Sequence, residues 1–182
     1  MDMYFIALVA PEKINADVLK WKTWFRDHYG CGVALKSPAH ITLIPPFRMQ
    51  EALEPALKNR LEVFAGLYEN FEVTFCNFSH FKPRVIYVDV CKNEKLDILH
   101  REINEAISSE NKYPVKKENR AFHPHITLAT RDLKKSAFYD AWNFFAEKKY
   151  NAKWMVDSLS LLRHNKKNWD VIFTSRFRQQ AL

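Results

Sequence analysis

The sequence predicts an α+β fold built from two similar halves. Two observations carry that expectation. Segments with the two-residue period of strands interleave with segments of helical period, and tight turns between neighbouring strands imply antiparallel pairing. The tetrapeptide His-Ile-Thr-Leu also occurs twice in the 182-residue chain, at residues 40–43 and 125–128, with Pro38 and Pro124 just upstream. The architecture that satisfies both is bilobal and pseudo-two-fold. Two antiparallel sheets flank a central cleft, helices lie outside, and residues 1–182 form a single domain of two lobes with one motif in each.

The elements follow in order. Tyr4 to Val9 is a short apolar run that reads as a strand. Pro11 opens an amphipathic stretch with Ile14, Val18, Trp21, Phe25 and Tyr29 near helical spacing, and Gly30 ends it. The first motif strand follows and should stop at Pro45-Pro46. A helix runs from about Leu53 to Ala65. Phe71, Val73 and Phe75 begin an alternating strand to Phe81, and Lys82-Pro83 turns it into a second strand, Arg84 to Val90. Asn93 can cap a helix carrying Leu96, Leu99, Ile103 and Ile107. Residues 111–120 form a polar, basic loop before the second motif strand. Another helix covers about Ser136 to Lys148. One strand from about Trp154 to Arg163 and another from Trp169 to Thr174 close the chain around a basic turn at residues 165–168. There is no long linker and no low-complexity tract.

Composition narrows the function classes. Apolar residues make up 47% of the chain, ample for a core, yet no run approaches the ~20 residues of a membrane span. The N-terminus lacks the features of a secretory signal, and Cys31, Cys76 and Cys91 are odd in number and far apart. Together these suggest reduced thiols and a cytoplasmic protein. Net charge is +7, and residues 92–182 supply all of the excess, with eighteen Lys/Arg against eleven Asp/Glu. The densest clusters lie at Lys116, Lys117 and Arg120, at Lys134-Lys135, and at Lys166-Lys167. A one-sided basic surface favours phosphate-bearing partners such as RNA. With three glycines and no Gly-rich phosphate loop, any phosphate must be held by side chains.

The motif itself carries chemistry. In a strand, residues i and i+2 share a face. Each copy therefore sets one imidazole beside one hydroxyl, with Ile and Leu on the opposite side. Two such strands face to face would make a pocket of His40, Thr42, His125 and Thr127, suited to acid–base work on an anionic group. An imidazole with an unperturbed pKa near 6.5 can act as base in one copy and acid in the other near neutrality.

The segments Ser37–Leu43 and Phe122–Leu128 resemble the paired H-x-T-x signatures of the 2H phosphoesterases, the superfamily of the RNA 2′,3′-cyclic phosphodiesterases and 2′-5′ RNA ligases. Phe81–Tyr87 resembles the hairpin between its motifs, and the run after Pro38 looks like a small bacterial branch. The resemblance covers essentially the whole chain. It implies His40 and His125 as acid and base, Thr42 and Thr127 on the phosphate oxygens, and no metal or other cofactor. It also implies a substrate that is an RNA end or nucleotide carrying a cyclic phosphate, opened to a 2′-phosphate, with reversible 2′,5′ ligation.

Further candidates for substrate binding are Arg131, Arg163, Lys36 and Phe81. Phe47 could stack a base or pack in the core. His123, His28 and His100 read as structural or surface residues, and His80 and His164 as strand-end residues. Two alternatives stay open. One is a phosphodiesterase for small cyclic phosphates or 2′,5′-linked dinucleotides. The other is a non-catalytic RNA-binding module, which would leave the paired His/Thr placement without a purpose. Nothing in the sequence calls for a membrane or an obligatory protein partner.

Overall fold

A computed structural model describes residues 1–115 and 121–179; Lys116, Lys117 and Arg120 of the basic loop therefore lie outside the described residues. The chain runs β1 (Asp2–Val9), α1 (Glu12–Tyr29), β2 (His40–Met49), α2 (Glu54–Ala65), β3 (Phe71–Phe81), β4 (Val85–Val90), α3 (Glu94–Ser108), β5 (His125–Ala129), α4 (Lys135–Ala146), β6 (Lys153–Val156), β7 (Ser158–His164) and β8 (Trp169–Arg176). Two four-stranded antiparallel sheets form, ordered β2-β1-β7-β8 and β5-β4-β3-β6. The path β1–α1–β2 in the first half matches β4–α3–β5 in the second. Each motif strand is thus an edge strand paired to the strand that precedes its crossover helix, and the two edges approach one another.

Local chemistry sets the boundaries. Gly30 adopts a left-handed conformation (φ 69°) and its N–H closes α1 on the Arg26 carbonyl, a conformation that would strain a residue with a Cβ. The Asn93 side chain accepts the Leu96 N–H at 3.0 Å, the N-cap that its position predicts. The buried faces of both sheets and of the four helices share one core. Aromatic rings knit α1 to α4: Phe25 stacks on Phe145 at 5.1 Å within the core, and Trp24 on the exposed Phe144 at 4.4 Å at its margin.

Three features differ from expectation. β2 does not stop at Pro45-Pro46 but continues to Met49. Both prolines are on an edge strand, where a missing N–H breaks no ladder, and register shifts near Ile6 take up the irregularity. The expected strand from Trp154 to Arg163 is two strands. β6 pairs with β3 and β7 with β1, so the chain changes sheet at Asp157. Finally, Cys76 and Cys91 are not free thiols: they form a disulfide across β3 and β4, with Cα atoms 5.4 Å apart. Hairpin pairing brings together cysteines that are fifteen residues apart in sequence. Only Cys31 remains free, and burial raises its thiol to about 11.

Candidate active site

The site grows from the pleat of the two edge strands. Ile41 and Leu43 are buried in the core, so His40 and Thr42 face the cleft; Ile126 and Leu128 do the same for His125 and Thr127. The partner strands place Val9 opposite His40 and Ala7 opposite Thr42. In the second half Asp89 stands opposite His125 and Tyr87 opposite Thr127. The segment entering β2 is clamped by α1, where Asn15 accepts the Ala39 N–H at 2.7 Å and Lys22 donates to the Ser37 carbonyl at 3.0 Å. α3 holds the strand further along, through Asn104 donating to the Leu43 carbonyl at 3.0 Å.

Both imidazoles are oriented by the same device. His40 Nδ1 lies 2.7 Å from the carbonyl of Pro38, and His125 Nδ1 lies 2.7 Å from the carbonyl of His123. A carbonyl only accepts, so Nδ1 carries the hydrogen and Nε2 is the nitrogen left to exchange protons. A ring lies against each imidazole: Phe5 at 4.8 Å from His40, and Tyr87 at 4.8 Å from His125.

Two open cavities meet at Thr42. The first, about 580 Å³, is lined by Phe5, Lys36, His40, Thr127, Arg131, His164 and Trp169. The second, about 490 Å³, is lined by Phe81, His100, Phe122, His123 and His125. The environment disfavours charge on both histidines. Burial is the chief cause of His40's shift to about 4, reinforced by the nearby Lys22 and His125 and opposed by the hydrogen bond to Pro38. His125 is also lowered, again chiefly by burial. Its hydrogen bond to the His123 carbonyl and the Asp89 carboxylate pull the other way, while the His123 imidazole adds to the lowering.

This geometry has relatives. The family model of the 2′-5′ RNA ligase superfamily matches residues 10–168. The chain belongs to that superfamily. Its members are 2H phosphoesterases, and the recurring His-Ile-Thr-Leu strands occupy the two edges that face each other here. A protein of Geobacillus sp. (strain WCH70), named "Putative phosphoesterase", is 27% identical over 161 residues, covering 87% of this chain and 86% of that one. The RNA 2′,3′-cyclic phosphodiesterase of Bacillus subtilis (strain 168) is 28% identical over 141 residues, 70% of each chain. Among solved structures, TT0787 of Thermus thermophilus superposes with a TM-score of 0.71 over all of both chains at 20% identity, a likeness of fold.

Within this superfamily frame, the weaker candidates divide. Lys36 and Arg131 line the first cavity and Phe81 the second, its ring 5.2 Å from His125. Arg163 does not reach the cleft. It lies on the opposite face of β7, paired with Glu51 at 3.0 Å and Glu54 at 3.2 Å beside α2. The adjacent residue has the right parity: His164 faces the first cavity, 4.9 Å from the ring of Trp169. Trp169, opposite His164 on β8, packs edge-on against Phe5 at 4.7 Å. No sequence signal pointed to these three, because β1 and β7 are inner strands without clear alternation. His123 is more than structural filler. Its Nε2 lies 3.0 Å from the Tyr87 hydroxyl and 3.1 Å from Asp89 Oδ1. Phe47 packs in the core, buried against Tyr4. Among the described residues no helix is long and apolar enough to cross a membrane.

Proposed function

We propose that this protein is a phosphodiesterase that opens a 2′,3′-cyclic phosphate on an RNA end or nucleotide, leaving a 2′-phosphate. The observation that carries the reading is the matched pair of imidazoles. Each has Nδ1 satisfied by a carbonyl and Nε2 free, each sits two residues from a threonine, and the cavities on which they stand meet at Thr42. The name of the Bacillus subtilis relative, an RNA 2′,3′-cyclic phosphodiesterase, agrees in substrate class.

In this reading His40 is the base. Its imidazole is held neutral, with no carboxylate across the ladder, where Val9 stands. Nε2 takes a proton from water as the water oxygen attacks phosphorus. His125 is the acid. Asp89, opposite it, favours the imidazolium. As the bond from phosphorus to O3′ breaks, His125 Nε2–H passes its proton to O3′, and the 2′-phosphate remains. Attack and departure on opposite sides of phosphorus require one group from each lobe. Thr42 and Thr127 donate hydrogen bonds to the non-bridging oxygens, where negative charge develops. With a 5′-hydroxyl in place of water, the same steps in the same direction would form a 2′,5′ linkage and release the 3′-hydroxyl, and their reverse would cleave it. No step calls for a metal.

The test is a panel of 2′,3′-cyclic nucleotides, cyclic-phosphate-ended RNA and 2′,5′-linked dinucleotides, assayed with excess EDTA and followed by phosphorus NMR. Turnover of a cyclic phosphate to the 2′-phosphate is expected. Turnover of the dinucleotides alone would move the substrate to small 2′,5′ diesters. Absence of turnover across the panel would leave a binding module and sink the enzymatic reading.

A further inference from the structure

Lys22 is the outlier among the cations of the described residues. It is 3% exposed, on a helix whose other buried positions are Ile14, Val18 and Phe25. Its Nζ has one partner, the Ser37 carbonyl at 3.0 Å, and among the described residues no carboxylate pairs with it. A buried ammonium without a counter-charge is costly, and the fold normally supplies a carboxylate or removes the charge. Here burial alone lowers the amine, to about 8, so the group stays largely charged at neutrality.

The surroundings say what is missing. Lys22 lines a cavity of about 300 Å³ between α1, the short 3₁₀ turn Val33–Lys36 and the β7–β8 hairpin. Lys36, Asn15 and Asn168 also line it, so among the described residues every charged side chain on its wall is cationic, and the amides can donate. The cavity shares Lys36, Ser37 and Trp169 with the first cavity of the candidate active site, so the two form one groove on the His40 side. A carbonyl takes one ammonium hydrogen and leaves two donors beside a polar void.

We propose that this cavity is a second anion subsite, taking a phosphate group other than the one between the two histidines. Its meaning rests on the phosphodiesterase reading. It lies on the side from which the attacking group arrives, so it would hold a phosphate of the incoming strand during ligation, or of the released strand when a 2′,5′ diester is cleaved. A free cyclic mononucleotide has no group to fill it.

The test is calorimetric titration of inorganic phosphate into the full-length protein already saturated with adenosine 2′-phosphate, which occupies the catalytic centre. A further phosphate-binding event is expected, weakened about tenfold or more in Lys22→Met. Because Lys22→Met alters a buried site, Leu19→Glu serves as the second variant. Leu19 lines the same cavity and is 50% exposed, so a carboxylate there leaves the core intact and should also abolish uptake. No uptake by the parent protein, or uptake that survives Lys22→Met or Leu19→Glu in folded protein, would overturn the subsite. If adenosine 2′-phosphate itself fails to bind, the phosphodiesterase reading is at fault. Phosphate titrated into the unliganded protein then still reports on Lys22 independently.

Discussion

Asp89 stands opposite His125 across the β4–β5 ladder, in the place that Val9 holds opposite His40 across β1 and β2. The two lobes therefore share a backbone frame and differ in charge. Duplicated strands give a symmetric pair of imidazoles, but acid–base catalysis needs an unequal pair. Burial lowers both imidazoles, and one carboxylate, placed by register on the strand beside His125 alone, favours the imidazolium there.

The first prediction follows from unequal roles. His40→Ala and His125→Ala should each lower kcat on a cyclic nucleotide by roughly 10²-fold or more. A substrate whose leaving group is 4-nitrophenol needs no proton from the enzyme. On a 4-nitrophenyl nucleotide ester, His125→Ala should regain most of its rate while His40→Ala stays slow. Rescue of His40→Ala instead would exchange the two roles.

A second prediction concerns pH. The competent free enzyme has His40 neutral and His125 protonated. With His40 lowered to about 4, kcat/KM should rise as pH increases through that value. With His125 lowered below its ordinary 6.5, kcat/KM should fall again before neutrality, giving an optimum on the acid side. Asp89→Asn removes a charge that favours the imidazolium, so the falling limb should move to lower pH while the rising limb stays. A falling limb that Asp89→Asn leaves in place would show that another group controls it.

A third prediction concerns stability. His40 binds its proton less readily folded, near 4, than unfolded, near 6.5. Between those values the unfolded chain holds more protons, so stability is fully present above about pH 6.5 and is lost as pH falls toward 4. Thermal melts of the wild type should show this decline, and His40→Gln, which cannot titrate there, should show a shallower one. Parallel pH slopes for the two proteins would mean that His40 is not held neutral by the fold.

Much of this was legible in the sequence because alternation and recurrence are local signals. The four motif residues, the meeting of the two motif strands at a cleft and the helices all follow from a period of two, a period of 3.6 and one repeated tetrapeptide. What was missed depends on parity or on pairing. Arg163 and His164 are neighbours on opposite faces of β7, and a residue's chemistry does not reveal which face lines a cleft. Their parity was not readable, since β7 is an inner strand in which Leu159, Ser160, Leu161 and Leu162 are all buried. The change of sheet at Asp157 left no clear trace, because burial alternates only in β6, at Trp154 and Val156, while Leu159, Ser160, Leu161 and Leu162 of β7 are all buried. The Cys76–Cys91 bridge and the Asp89–His125 relation had none, because both exist only once register is set. Pro124 hid His123 by making the strand start look irregular, although the side chain is held by β4.

The last prediction concerns that side chain. His123 Nε2 lies within hydrogen-bonding distance of Tyr87 and Asp89, and its own carbonyl holds His125 Nδ1. In the first lobe the corresponding carbonyl belongs to Pro38, whose ring restricts the backbone without help. His123 has no such ring, so its imidazole anchors the carbonyl from β4. It is then a positioning residue for His125. His123→Ala should lower kcat about tenfold, with little change in KM and no loss of fold, since the side chain is about half exposed. His123→Asn, which can keep one hydrogen bond to β4, should recover part of the loss. The 4-nitrophenyl ester separates this from a general structural defect. Because that substrate bypasses the acid, His123→Ala should be nearly as fast on it as the wild type. An equal loss on both substrates would mean that His123 supports the cleft as a whole and not the orientation of His125.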